Sequence, residues 1–517
     1  MRIPWAITLL SAAALAAGQP ERFQAAESCA LCHSRIAPPD GASVSGAASI
    51  APHALWSGSM KAHAARDPYW KSKVGFETAL TPAARDVIED KCLRCHAPAQ
   101  QYDYRRQSKA MRLAELDSAG AEGATCTVCH QIAAKGLGSR GSFTGGFEIN
   151  DRREIYGPHQ NPFTMPMLHH TGYEAVESRH ILEASLCATC HTVITPSLAA
   201  DGKVIGEFVE QAPFLEWLAS GYPQSGSTCQ SCHMPHLKDS SGQDVAQFIA
   251  HRPPGGPFPP TEPRAPFGLH FFVGGNVQVP AMIAELNPSE AGMLRRTSER
   301  ASEFLKRALK LDAAASRSGG KLRVRVTTSN LAGHKLPTAY PSRRLWLHLV
   351  VTAQDGRNLF ESGAWNSGAG EITGIGSSQP HHLQITDPSQ AMIYEVEYRD
   401  AAGERTTSLL RTTGYLKDNR ILPRGYDTRR SLPAGIAAPA IAPVGVNQDD
   451  DFQAGSDTVE YVMDTGTALA PFKVSVEALF QSIKPSHVAG LDSSFVELHR
   501  RHGAPAVIGR VELTAVR

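Results

Sequence analysis

The sequence predicts an α + β chain of more than one domain: a mostly helical or irregular N-terminal part, a linking helix and a C-terminal β-sandwich. Three observations lead there. All ten cysteines of the 517-residue chain lie between residues 29 and 233, among short helix signals. A long run of helix formers follows Asn287. From residue 321 apolar and polar residues alternate, the period of a half-buried strand. The length exceeds what one domain needs. The formal net charge of +1 gives no pull toward nucleic acid or an anionic membrane, so neither is an expected partner.

The first stretch, "MRIPWAITLLSAAALAAGQP", has Arg2, an apolar run to about Leu15, and small residues at Ala14, Ala16 and Ala17. Residues 1–17 are therefore expected to be a signal peptide. The run is short for a membrane span, and no later segment is apolar enough. The mature protein is expected to be exported, periplasmic or extracellular at the cell surface, and not membrane-spanning.

Residues 18–286 contain the chemistry. The cysteines form five C-x-x-C pairs, Cys29/Cys32, Cys92/Cys95, Cys126/Cys129, Cys187/Cys190 and Cys229/Cys232. Each pair is followed at once by a histidine: His33, His96, His130, His191 and His233. With 21 histidines in 517 residues, chance does not place five of them so. C-x-x-C-H is the attachment sequence of c-type haem. Two thiols add to the vinyl groups of one haem, and the adjacent histidine is held under the iron as proximal ligand. Zinc ribbons pair two C-x-x-C units per metal, and five is odd. A redox dithiol needs no following histidine. Five covalently bound c-type haems, with their iron, are the expected cofactors. So little protein per haem leaves the haems themselves as much of the core. "ALTPAARDVIEDKCLRCH" reads as a helix capped by Thr81 that delivers the second motif.

Residues 287–316 read as the linking helix, with Asn287 as cap, Pro288 and Glu290 in its first turn, and a stop before Gly319–Gly320. Residues 317–517 read as strands: "KLRVRVTT", "LWLHLVV", "MIYEVEY", "DTVEYVMD", "FKVSVEALF" and "GRVELTAV" all alternate. Strands on this spacing, joined by Gly, Pro and Asp loops, predict an immunoglobulin-like β-sandwich. The cluster "NQDDDFQAGSD", with Asp449, Asp450, Asp451 and Asp457, lacks the spacing of a calcium loop and reads as a solvated turn.

Several segments together resemble the exported multihaem c-type cytochromes of the cytochrome c554-like group that carry a C-terminal β-sandwich. They are "LWSGSMKAHAARDPYW", "IEDKCLRCHAP", "ATCTVCHQI", "YGPHQNPFTMPMLHHTGY", "SRHILEASLCATCHT", "STCQSCHMP", "LHFFVGGN", "GHKLPTAYPSRRLW" and "LKDNRILPRGY". The resemblance implies electron transfer through closely packed haems; redox protein partners are expected, and no catalytic residue is singled out. Two alternatives stand beside it: an oxidoreductase acting on a small nitrogen or sulfur species at an open haem, and a surface-assembled conductive or adhesive cytochrome. Pentahaem nitrite reductases typically hold one haem by C-x-x-C-K and end in helices; here all five motifs end in histidine and the C-terminal part reads as strands.

Each iron needs a sixth ligand or stays open. His180 lies seven residues before Cys187, about two helical turns. His170, beside His169, precedes Gly172, and His270 begins an aromatic patch. Met60 and His63 share one helical face, and the resemblance places a ligand in their segment, so both stay candidates. His334 sits on a loop stiffened by Pro337 and Pro341, which suits a side chain aimed at a fixed target across the domain boundary.

Overall fold

The computed structural model describes residues 22–39, 44, 48–252, 261–376, 378–446 and 449–516. The expected signal peptide, 1–17, lies outside them, as does part of the Pro/Gly-rich stretch at 253–260. The described residues from 22 to 306 are built mainly of short helices, and five of these hold the cysteine motifs. They are Ala26–His33, Arg85–His96, Cys126–Cys129 with His130 as its C-cap, Ala184–His191 and Cys229–His233. Helical spacing explains the motif: residues three apart share a face, so both thiols of a pair point the same way. Thr81 precedes a short 3₁₀ turn, Pro82–Ala84, and its side chain makes no cap hydrogen bond.

This part also holds a hairpin, Val193–Leu198 with Val204–Gln211, where only helix and irregular chain were expected. Its sequence signal is the Asp201–Gly202 tip, with Gly202 at φ +84°. The hairpin packs against the strand-built part. Phe208 meets Val396 and Tyr398, and the Tyr398 hydroxyl donates to the Glu210 carbonyl at 2.7 Å.

The linking helix is shorter than expected. Helix Gln278–Leu286 ends at Asn287, whose N–H caps it by donating to the Ile283 carbonyl. Pro288 then interrupts the chain, and a second helix runs only from Ala291 to Lys306. Residues 309–318 are a strand instead. The expectation of helix to 316 followed the Ala, Leu and Lys content; the alternation of Leu309, Leu311, Ala313 and Ala315 with neighbours facing outward decides otherwise. Gly319 and Gly320, read as a helix stop, are the hairpin turn. Both have positive φ, +58° and +79°, as a type I′ turn requires. They pair Leu309–Ser318 with Lys321–Asn330 over ten residues.

All six strands expected from the alternation are present, and they join two sheets. One is ordered Gln384–Ile385, Ser456–Asp464, Lys321–Asn330, Leu309–Ser318. The other is ordered Arg405–Thr406, Ile393–Arg399, Arg344–Thr352, Phe472–Gln481, Ala506–Ala515, with Gly414–Asp418 and Asn358–Ser362 pairing at its sides. Val324, Val326 and Tyr461 from the first meet Leu347, Leu349, Val476 and Phe480 from the second in one buried core. The architecture is α + β and multidomain. Helix Ser493–His502, between the last two long strands, packs Phe495 and Leu498 against Met282, Ile283 and Leu294 of the two linking helices. Among the described residues no helix is long and apolar enough to cross a membrane.

Candidate haem-binding cavity

One continuous cavity of about 1860 Å³ runs through the helical part and up to the strands. This is well beyond the roughly 300–1,000 Å³ of a site for one small molecule. All ten cysteines and all five motif histidines line it, and every thiol is free. Its wall also includes Gly333, His334, Tyr340, Arg343, Leu410 and Phe480, so the strand-built part closes it.

Four of the five motif histidines are held in one protonation form. Nδ1–H of His33 donates to the Ile249 carbonyl, that of His96 to Ala64 and that of His130 to Tyr156, each at 2.7 Å; that of His233 donates to Val273 at 2.5 Å. A carbonyl only accepts, so the proton sits on Nδ1 and Nε2 keeps a lone pair for a metal. Burial also disfavours the imidazolium, pushing His96 and His233 down to about 4. The Trp70 indole stacks on His96 at 4.3 Å between centroids and fixes its plane.

Two of the expected distal residues face a motif histidine. The His270 and His130 rings lie 6.2 Å apart between centroids and 15° from parallel. His334 and His233 repeat this at 6.2 Å and 17°. Two metal–nitrogen bonds of about 2 Å each, plus a ring radius at each end, come to roughly 6 Å, so the gaps fit one metal ion between two imidazoles. His270 and His334 have the same protonation form, with Nδ1 on the carbonyls of Gly268 and Lys335, both at 3.0 Å.

The other candidates divide. Met60 and His170 line the cavity. His63 does not: it is fully buried, its Nε2–H donates to the Ser57 carbonyl at 3.0 Å, and Nδ1 faces Glu290 at 3.9 Å. His180 does not either. Its Nε2–H donates to the Ile132 carbonyl at 2.8 Å, and its Nδ1 accepts from the Ser178 hydroxyl at 2.7 Å. Both carry their proton on the nitrogen opposite to that of His33, His96, His130, His233, His270 and His334.

Two residues were passed over in the sequence. His53 lines the cavity with Cys29, Cys32 and His33. Lys61 places Nζ 2.5 Å from Nε2 of His191, and its charge, then burial, holds that imidazole far below the usual range. The only sequence signal for Lys61 was its place between Met60 and His63. The acidic cluster also departs from a solvated turn: Asp449 and Asp457 turn inward around His381, whose Nε2 lies 2.7 Å from Asp449.

The His334 loop stands on a buried group of four charges. Glu216, from the helical part, accepts from the Lys335 N–H at 3.2 Å and the Thr338 hydroxyl at 2.5 Å, and pairs with Arg420 at 3.0 Å. Asp418 pairs with Arg420 at 2.7 Å and with the Lys335 ammonium at 2.6 Å. Two positive and two negative groups cancel, as a fully buried cluster requires. Burial pushes Asp418 upward, but Arg420 and Lys335 outweigh it and hold the carboxyl at about 2.

The donor set fits c-type haem: paired thiols, neutral imidazoles and an apolar wall. Trp70 Nε1 and Thr195 Oγ1 are buried at the wall with no partner among the described residues, and Arg343 offers a buried cation for an acidic substituent.

Comparison with known proteins agrees. Residues 28–131, spanning the first three motifs, match the family described as cytochrome c554 and c-prime. The fold is similar to the crystal structure of a penta-heme cytochrome c552 from Thermochromatium tepidum, with a TM-score of 0.57 and 18% identity, over 96% of this chain and 100% of that one. Comparison with curated proteins finds no match.

His334→Ala is expected to convert one haem to high-spin while all covalently attached haem remains, read by absorption and electron paramagnetic resonance of the oxidised protein. Asp418 has a depressed folded pKa. Its contribution to stability is therefore complete above its unfolded value, near 4, and is lost as pH falls through about 2. Asp418→Asn is expected to cost about 3–5 kcal/mol at neutral pH. In urea melts at several pH values, its stability should fall less steeply below pH 4 than that of the unaltered protein.

Proposed function

We propose that the chain is a multihaem c-type cytochrome, an exported pentahaem carrier that passes electrons between redox protein partners. Such cytochromes hold c-type haem covalently and act in electron transfer or oxidoreduction. The observation that carries the reading is the single cavity lined by all ten motif cysteines and all five motif histidines. One shared cavity favours haems in close contact over five separate redox centres.

Contacts between thiols support an order. The Cys29 side chain lies beside that of Cys126, Cys95 beside Cys190, and Cys187 beside Cys229. Cys187 and Cys190 also lie near Cys129. Motif one therefore lies beside motif three, motifs two and five lie beside motif four, and motif three lies near motif four. The haem of Cys187, Cys190 and His191 is the junction of the array, with the first, second and fifth at its ends. Facing imidazoles at His130 and His233 favour iron without an open site, the condition of a carrier rather than a catalyst.

In a potentiometric titration the oxidised protein is expected to take up five electrons per chain. The reduced protein should then reoxidise no faster with nitrite or hydroxylamine than in buffer. Sustained turnover of either compound would instead favour the oxidoreductase reading.

A further inference from the structure

We propose that Lys61 is the axial ligand opposite His191 on the iron of the junction haem. The inference rests on the reading that Cys187, Cys190 and His191 hold a haem. It adds a residue and a ligand class, a primary amine, to that site.

Lys61 is placed by its backbone. Its carbonyl accepts from the Ala124 N–H at 2.9 Å. Gly123, at φ +70°, permits that approach: a Cβ there would sit 2.3 Å from the Lys61 carbonyl oxygen. The Trp56 indole N–H donates to the Ala124 carbonyl at 2.8 Å, completing the clamp. The clamp is two residues before Cys126, so Lys61 is tied to the start of the third motif while its side chain reaches the fourth.

The side chain has one polar partner. Among the described residues, Lys61 forms no ion pair with a carboxylate, and its Nζ meets only Nε2 of His191, at 2.5 Å. Two cationic or donor groups do not pair well; an amine and an imidazole that aim their lone pairs at one metal ion do. His130 and His233 face imidazoles in this position, and His191 faces an amine. Two metal–nitrogen bonds need about 4 Å between the nitrogens. The flexible four-carbon stem of lysine can draw back by the difference. As the bond forms, the ammonium loses one proton to solvent and the freed lone pair goes to iron. No electron is transferred in the step.

The alternative is that Lys61 acts as a fixed charge beside this haem. Lys61→Arg separates the two roles, because a guanidinium keeps the charge but stays protonated and cannot bind iron. The full-length haem-loaded protein is oxidised and examined by near-infrared magnetic circular dichroism and electron paramagnetic resonance, with haem counted by the pyridine assay. The proposal expects five haems per chain in both proteins and loss of one haem equivalent of low-spin signal in Lys61→Arg. Lys61→Ala should show the same loss, and added imidazole should restore it. If five haems are present and Lys61→Arg keeps the unaltered low-spin count, Lys61 is a charge and the proposal is overturned. A count below five in the unaltered protein with Cys187 and Cys190 unmodified overturns the reading beneath it instead.

Discussion

The Nδ1–H to backbone carbonyl hydrogen bond is the interaction on which the cavity depends. The carbonyls serving His33, His96, His130 and His233 lie 216, 32, 26 and 40 residues away in sequence. Each bond does two things at once. It fixes the proton so that Nε2 faces inward with a lone pair, and it ties a distant segment to a motif helix. A chain with many short helices and a large internal cavity has little side-chain core of its own. These ties, with the groups the cavity accepts, set where its walls stand.

The strand-built part takes part in that cavity through one loop. His334 faces His233, while the residues that follow it are held by Glu216 from the helical part and by Asp418 and Arg420 from the strand-built part. A buried cluster of this kind is weak evidence for stability compared with an apolar replacement, but removing one member is costly. Here its use is positional: the loop cannot move without leaving a buried charge unpaired. The sheets behind it share a continuous apolar core, so the histidine projects from a rigid base.

Local pattern made the motifs and the six strands readable from sequence, because C-x-x-C-H and period-two alternation are written in adjacent residues. The same locality misled at 309–318, where helix-favouring Ala and Leu content competed with an alternation that only pairing to Lys321–Asn330 rewards. The Val193–Gln211 hairpin was hidden among haem motifs. The distal side of the site was least readable. His270 and His334, expected from aromatic or stiff surroundings, each face a motif histidine. His63 and His180 carried equally good local signals, yet their Nε2 protons are spent on carbonyls that the sequence does not announce. Lys61 was missed because a lysine between two better metal-binding residues reads as a solvated side chain. Only the fold brings it to His191.

The central claim is that all five cysteine pairs hold haem in one connected array. The mass of the intact exported chain, measured after denaturation so that only covalent groups remain, tests this most directly. The account predicts the polypeptide mass plus five haems in a single species. A mass of four haems or fewer, with the remaining cysteine pair free or joined as a disulfide, would contradict it.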